Sequence, residues 1–186
     1  TLLSALGNEA LNDNTTGASN TALGSLSLDA NTTGSSNVGV GMNSLSVNTT
    51  ADNNTAVGRS ALEVNTTGTR NQAFGTYALD ANTIGDDNVG LGYSSLSANT
   101  TGSDNVAVGV QALRDNTTAD NNVAVGRDAL KVSTTGTQNV AVGNYALGSN
   151  TTASYNSALG HSTLNANTTG EENTALGRIA LQDNTT

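Results

Sequence analysis

The sequence predicts an all-β protein, a parallel β-solenoid (β-roll) in which each 17-residue repeat forms one coil and about 11 coils stack along one axis. Three observations carry this prediction. The repeat recurs without insertion or deletion from Asn14 to Asn184. Every charged residue falls at one of six repeat positions, so all copies share the same inside and outside. Each copy also contains a short β-prone segment followed by an invariant glycine.

The repeat reads N-T-T-[GA]-x-x-N-x-[AG]-Φ-G-x-x-[AST]-L-x-x, where Φ is apolar. Residues 99–115 are the reference copy, with Asn99 at position 1. One array is predicted over 1–186: a partial coil over 1–13, ten full coils over 14–183 and a partial coil over 184–186. Neither end carries an atypical capping repeat, so we expect this array to be a segment of a longer one.

A helical interpretation fails because the apolar stripe would rotate from copy to copy. At about 100° per residue, one repeat ends roughly 100° short of five full turns. Within each coil, the pattern predicts one strand at positions 7–10, as in 105–108, and a second at positions 13–16, as in 111–114. Gly109 is predicted to turn the corner between them, and Asn-Thr-Thr-Gly to close the coil.

Three repeat positions are predicted to stack as ladders, because each residue lies about 4.8 Å above its own copy. Position 7 contributes Asn20, Asn37, Asn54, Asn71, Asn88, Asn105, Asn122, Asn139, Asn156 and Asn173. Position 11 contributes Gly24, Gly41, Gly58, Gly75, Gly92, Gly109, Gly126, Gly143, Gly160 and Gly177. Position 15 contributes Leu28, Leu45, Leu62, Leu79, Leu96, Leu113, Leu130, Leu147, Leu164 and Leu181. Stacked asparagines can hydrogen-bond to one another, and an invariant corner glycine indicates a positive φ or a close backbone approach.

The core is predicted to consist of the leucine at position 15 and the apolar residue at position 10, as in Leu113 and Val108. Positions 9 and 14 are always small, as in Ala107 and Ala112. We interpret these small positions as a subunit interface where backbones approach closely. The alternative is that small residues merely fit a narrow coil.

Composition and charge exclude several classes of function. The chain has no cysteine, one histidine and a net charge of −9, which argues against thiolate chemistry, a multi-histidine metal site, and nucleic acid or anionic membrane as partners. No apolar stretch has the roughly 20 residues of a membrane span. No catalytic group, cofactor or metal site is predicted, so the chain is not expected to be an enzyme.

The segment Asn122-Val123-Ala124-Val125-Gly126 resembles the N-S-V-A-I-G motif of trimeric autotransporter adhesin heads. The whole unit is similar to the N-T-T-G…N-x-A-Φ-G-x-x-A-L arrays of phage tail fibres and bacterial surface proteins. The resemblance implies a left-handed β-roll, a homotrimer, and a location outside the cell, on a cell surface or in a virion fibre.

A longer period points to growth by duplication. Residues 50–79 and 118–147, 68 positions apart, are identical at 22 of 30 positions. The matches include Arg59 with Arg127 and Tyr77 with Tyr145. This pattern favours a spacer that has grown by duplication rather than a segment that carries a unique site.

The isolated polar and aromatic residues are better explained as ordinary surface residues than as parts of a catalytic or binding site. His161 has no recurring acid or nucleophile beside it. The pairs 86–87 and 171–172 are acidic turns that could bind Ca²⁺ weakly, but a solvated acidic edge is the stronger interpretation. The tyrosines are scattered, at Tyr77, Tyr93, Tyr145 and Tyr155. Each Asn-Thr-Thr is formally a glycosylation sequon, but its recurrence marks it as framework.

Threonines form two ranks, at positions 2 and 3, of which the second is interrupted at Ile84. Adjacent residues on a strand point to opposite faces, so only one rank can face solvent unless a turn displays both. An exposed threonine rank makes ice binding a lesser alternative.

The sequence therefore predicts a structural or adhesive protein: a rigid shaft or head of an extracellular fibre that self-associates as a homotrimer or coaxial filament. The alternative is a binding module that contacts host glycans or matrix proteins through exposed ladders.

Overall fold

The computed structural model describes residues 2–186 and confirms an all-β parallel solenoid with one repeat per turn. Each copy contributes one strand of three residues, at positions 8–10. The strands are β1 Ser4–Leu6, β2 Thr21–Leu23, β3 Val38–Val40, β4 Thr55–Val57, β5 Gln72–Phe74, β6 Val89–Leu91, β7 Val106–Val108, β8 Val123–Val125, β9 Val140–Val142, β10 Ser157–Leu159 and β11 Thr174–Leu176.

The eleven strands form a single parallel sheet in chain order. Its register follows the repeat, so that Val106 of β7 lies beside Val123 of β8. The coils are joined outside the sheet as well. Thr100 N donates to Thr117 O at 2.9 Å, and Leu113 N donates to Ala129 O at 3.0 Å. The backbone of each coil is therefore hydrogen-bonded to its neighbour on several sides.

The predicted second strand does not form. Positions 12–17 are a run of turns in every full coil. The reason is the backbone conformation at positions 13 and 15, which is left-handed in every copy: φ is 58° at Gln111 and 49° at Leu113. A left-handed residue cannot extend a strand and costs a non-glycine residue about 1–2 kcal/mol. At position 15, burial of the leucine side chain offsets that cost.

The glycine corner has the positive φ that the sequence indicates. At Gly109 φ is 136°, a conformation open essentially to glycine alone. A Cβ built at Gly109 would lie 2.6 Å from the carbonyl oxygen of Gly126 in the next coil. Both the conformation and the close approach therefore require glycine here.

The core is narrower than predicted. Leu113 at position 15 is fully buried, and it packs with the buried small residues of positions 9 and 14, Ala107 and Ala112. Position 10 does not belong to the core, because in a strand of positions 8–10 only the middle side chain points inward. Leu91 and Leu159 are accordingly 45% and 50% exposed. Positions 9 and 14 are buried inside the chain, so the subunit interface predicted there is wrong.

Candidate functional surfaces

The position 7 asparagines form a continuous buried ladder. Asn105 is the example: its backbone N–H donates to Asn88 Oδ1 at 3.1 Å, its Nδ2 donates to Ala119 O at 2.8 Å, and its Oδ1 accepts from Asn122 N at 3.0 Å. Each side chain thus satisfies backbone groups that the turn leaves without partners. This arrangement is structural.

A second buried ladder runs along position 1. Asn99 Nδ2 donates to Asn82 Oδ1 at 2.8 Å and to Gly102 O at 2.9 Å. The ladder is interrupted where Ser133 replaces asparagine. There the Ser133 hydroxyl and Asn116 Oδ1 are both buried without a hydrogen-bond partner among the described residues. Sequence reasoning identified the substitution but not the two unpaired atoms.

The outer face of the sheet carries an apolar strip formed by positions 8 and 10. Position 10 is apolar in every copy, whereas position 8 is valine in five copies and serine, threonine or glutamine in the other six. The strip spans all eleven strands. Phe74 is 39% exposed and Val140 is 41% exposed. A shallow groove on this face is lined by Val140, Val142, Leu159 and Leu176. A rank of partly exposed apolar side chains along eleven strands is typical of an interaction surface.

The two threonine ranks differ in exposure. Side chains at position 2 are mostly half-buried, and their hydroxyls donate to the next coil, as Thr100 Oγ1 does to Thr117 O at 3.0 Å. The rank at position 3, which includes Thr101 and Thr118, is exposed. Only the position 3 rank therefore faces solvent.

The acidic turns are held by local contacts. Asp86 Oδ1 accepts from Thr69 N at 2.6 Å and from Thr69 Oγ1 at 2.9 Å. Asp87 forms a bidentate pair with Arg70, with both contacts at 2.6 Å, and this guanidinium lowers the pKa of Asp87. Glu171 and Glu172 are exposed. Within residues 2–186, no three histidine or acidic side chains lie together in a way that could hold a metal ion.

One carboxylate lies in an unfavourable environment. Asp80, at position 16, is partly buried, and its Oδ1 has no hydrogen-bond partner in residues 2–186. Desolvation raises the pKa of Asp80 to about 6, and the nearby charge of Glu63 adds to the effect. Asp29, at the same repeat position, has its pKa raised by the same main cause. These shifts affect stability and indicate no catalytic partner.

Aromatic and cationic side chains meet on one edge of the solenoid, at positions 12 and 13. Tyr77 and Tyr93 form an edge-to-face pair with ring centroids 6.2 Å apart. The Arg59 guanidinium lies 5.5 Å from the centre of the Tyr77 ring. Tyr145 and His161 form a second edge-to-face pair, also at 6.2 Å. The sequence interpretation treated these rings as scattered, because their proximity depends on stacking of the coils. Tyr155, at position 6, lies outside both pairs.

Residues 2–186 include no helix with the length and hydrophobicity that a membrane crossing requires. Comparison with models of known protein families, with curated proteins and with solved structures found no match to this chain. The fold and the surfaces therefore carry the functional argument.

Proposed function

We propose that this chain is a rigid shaft or head segment of an extracellular fibre, built as a homotrimer of parallel, left-handed β-rolls. The observation that carries the proposal is the apolar strip of positions 8 and 10 on the outer face of the sheet. The handedness, the trimer and the extracellular location rest on the resemblance of the repeat to adhesin-head and tail-fibre arrays.

The strip favours a second copy of the same chain as its partner. Its side chains repeat with each coil along all eleven strands, so the best match is a surface with the same spacing. A parallel copy in register provides that spacing at every coil. Rotational symmetry then buries equivalent strips on all protomers, as closed oligomers do.

Charge patterning supports the same arrangement. Positions 8, 9 and 10 carry no charged residue in any copy, whereas acidic residues concentrate at positions 5, 6, 16 and 17. A face without charge can be desolvated at low cost, while the acidic edges keep the assembled fibre soluble. Mechanical function then follows from repetition, because the number of coils sets the length and backbone hydrogen bonds set the stiffness.

Light scattering tests the proposal directly. The expected mass is about three times 18.5 kDa, in rods on the order of 50 Å long. The double variant Leu91→Glu with Leu159→Glu places charges on the strip and is expected to give monomers. The matched control, Thr101→Glu with Thr169→Glu, adds the same charge at exposed position 3 and is expected to remain trimeric. A wild-type monomer, or equal dissociation of both variants, would refute the proposal.

A further inference from the structure

Two similar clusters of aromatic and cationic side chains lie on the edge formed by positions 12 and 13. In the first, Arg59, Tyr77 and Tyr93 come from three successive coils. The Tyr77 backbone N–H donates to Arg59 O at 3.0 Å, which fixes the two residues side by side. Tyr93 is 50% exposed. The cluster thus presents a ring and a guanidinium on a rigid backbone.

The second cluster occupies the same repeat positions as the first, 68 residues further along the chain, but within residues 2–186 only the Arg59 guanidinium lies over a tyrosine ring. It consists of Arg127, Tyr145 and His161. The Tyr145 backbone N–H again donates to Arg127 O at 3.0 Å. His161 stands where the first cluster has Tyr93, so an aromatic ring is present even though the residue differs. The same edge-to-face ring geometry results.

The clusters lie on the most cationic part of an acidic protein. Three of its six basic residues, Arg59, Arg127 and Arg178, occupy position 12, and no acidic residue does. Asp128 contacts Arg127 Nε at 3.1 Å and Lys131 Nζ at 3.1 Å. Because Lys131 shares that carboxylate, and the Arg127 side chain is 64% exposed, the outer edge of the Arg127 guanidinium faces solvent.

We propose that the two clusters bind one linear polysaccharide that carries carboxylates at intervals. Sugar rings present apolar C–H faces that can stack on exposed aromatic rings, and a guanidinium forms a bidentate pair with a carboxylate. Asp128, which contacts Arg127 in the second cluster, disfavours a densely sulfated chain. A polysaccharide with one carboxylate every few sugars offers a partner for each guanidinium and has a low charge density.

The spacing of the clusters indicates a linear ligand along the solenoid axis. Corresponding residues are four coils apart, which is roughly 19 Å at about 4.8 Å per coil. A flexible chain that reaches both clusters gains affinity from the second contact, because that contact is intramolecular. A compact monosaccharide cannot gain in this way.

Affinity electrophoresis of the full chain tests this inference. Hyaluronan, with one carboxylate per disaccharide, is the probe, and dextran and heparin are the neutral and densely charged comparisons. We expect retardation by hyaluronan, none by dextran, and weaker retardation by heparin. Arg59→Gln alone should weaken hyaluronan binding by about 10²-fold, and Arg59→Gln with Arg127→Gln should abolish it. The double variant Tyr93→Ala with His161→Ala should also weaken hyaluronan binding.

Arg70→Gln is the matched control, since it removes one charge from an exposed arginine at position 6 and should leave binding unchanged. Binding to heparin at least as tight as to hyaluronan, equal binding to dextran, equal loss in Arg70→Gln, or no binding to hyaluronan would each overturn the inference. The mass from light scattering separates this result from the shaft proposal, because none of these substitutions touches the apolar strip.

Discussion

Ser133→Asn is expected to stabilise this protein, because it fills the interruption that a non-asparagine residue makes within the buried ladder of position 1. In the present chain, Asn116 Oδ1 and the Ser133 hydroxyl are buried without partners among residues 2–186. An asparagine at 133 can donate to Asn116 Oδ1 and Gly136 O, and can accept from Asn150 Nδ2, as its counterparts do in the neighbouring coils.

The magnitude follows from these atoms. A buried polar atom without a partner costs about 1–3 kcal/mol, and a new hydrogen bond contributes about 0.5–1.5 kcal/mol net. Ordering the longer side chain offsets about 1 kcal/mol of the gain. The net expectation is about 2 kcal/mol, or a rise in Tm of roughly 4–8 °C for a domain of this size.

Urea and thermal unfolding of the full chain, followed by circular dichroism, measure the effect. The reciprocal variant Asn65→Ser is the control, because Asn65 Nδ2 donates to Asn48 Oδ1 at 3.2 Å and its Oδ1 accepts from Asn82 Nδ2 at 2.8 Å. It should lose a similar amount. If Ser133→Asn leaves stability unchanged or lowers it, the ladder does not stabilise the fold in the way argued here.

Three further perturbations test the other structural arguments. Asn105→Ala leaves the buried N–H of Asn122 without an acceptor and removes a donor to the neighbouring coil, so it should cost about 2–4 kcal/mol in urea unfolding. Gly109→Ala introduces a Cβ 2.6 Å from Gly126 O at a φ of 136°, so it should disrupt the stack, seen as lost β signal or a fall in Tm larger than that of Asn105→Ala. Asp80 has its pKa raised to about 6, above the usual 3.8 of the unfolded chain, so its destabilising effect is complete above pH 6 and disappears as the pH falls toward 4. Asp80→Asn should therefore raise stability at pH 7 by on the order of 1 kcal/mol and leave it unchanged near pH 4; an equal gain at both pH values would contradict the desolvation argument.

Much of the fold could be read from particular repeat positions. The invariant glycine at position 11 has the positive φ that its invariance indicated, and the leucine at position 15 is buried as expected. Confinement of charge to six positions identified the polar part of each coil, but it did not separate inside from outside, because the uncharged positions 3 and 10 are also exposed. These features succeed because stacking gives every copy of a position the same environment, so an alignment of the repeat with itself reports that environment.

The second strand and the role of position 10 could not be obtained in the same way. Positions 13–16 contain ordinary residues such as Gln111 and Leu113, and nothing in their types shows that two of the four adopt a left-handed backbone. Position 10 is uniformly apolar, which is equally consistent with a core and with an exposed strip. Its direction depends on the parity of a three-residue strand, which is fixed by where the turns begin and end.

By itself, the sequence determined the period, the parallel stacking of coils, the glycine corner and the leucine core, because each is repeated at one position in every copy. Only the tertiary structure decided which apolar residues face outward and which side chains meet. The apolar strip, the unpaired Asn116 Oδ1 and Ser133 hydroxyl, and the contact of Arg59 with Tyr77 all depend on residues about one repeat apart in the chain. Their distances depend on how one coil is placed on the next. The residue type at any one repeat position does not reveal that placement.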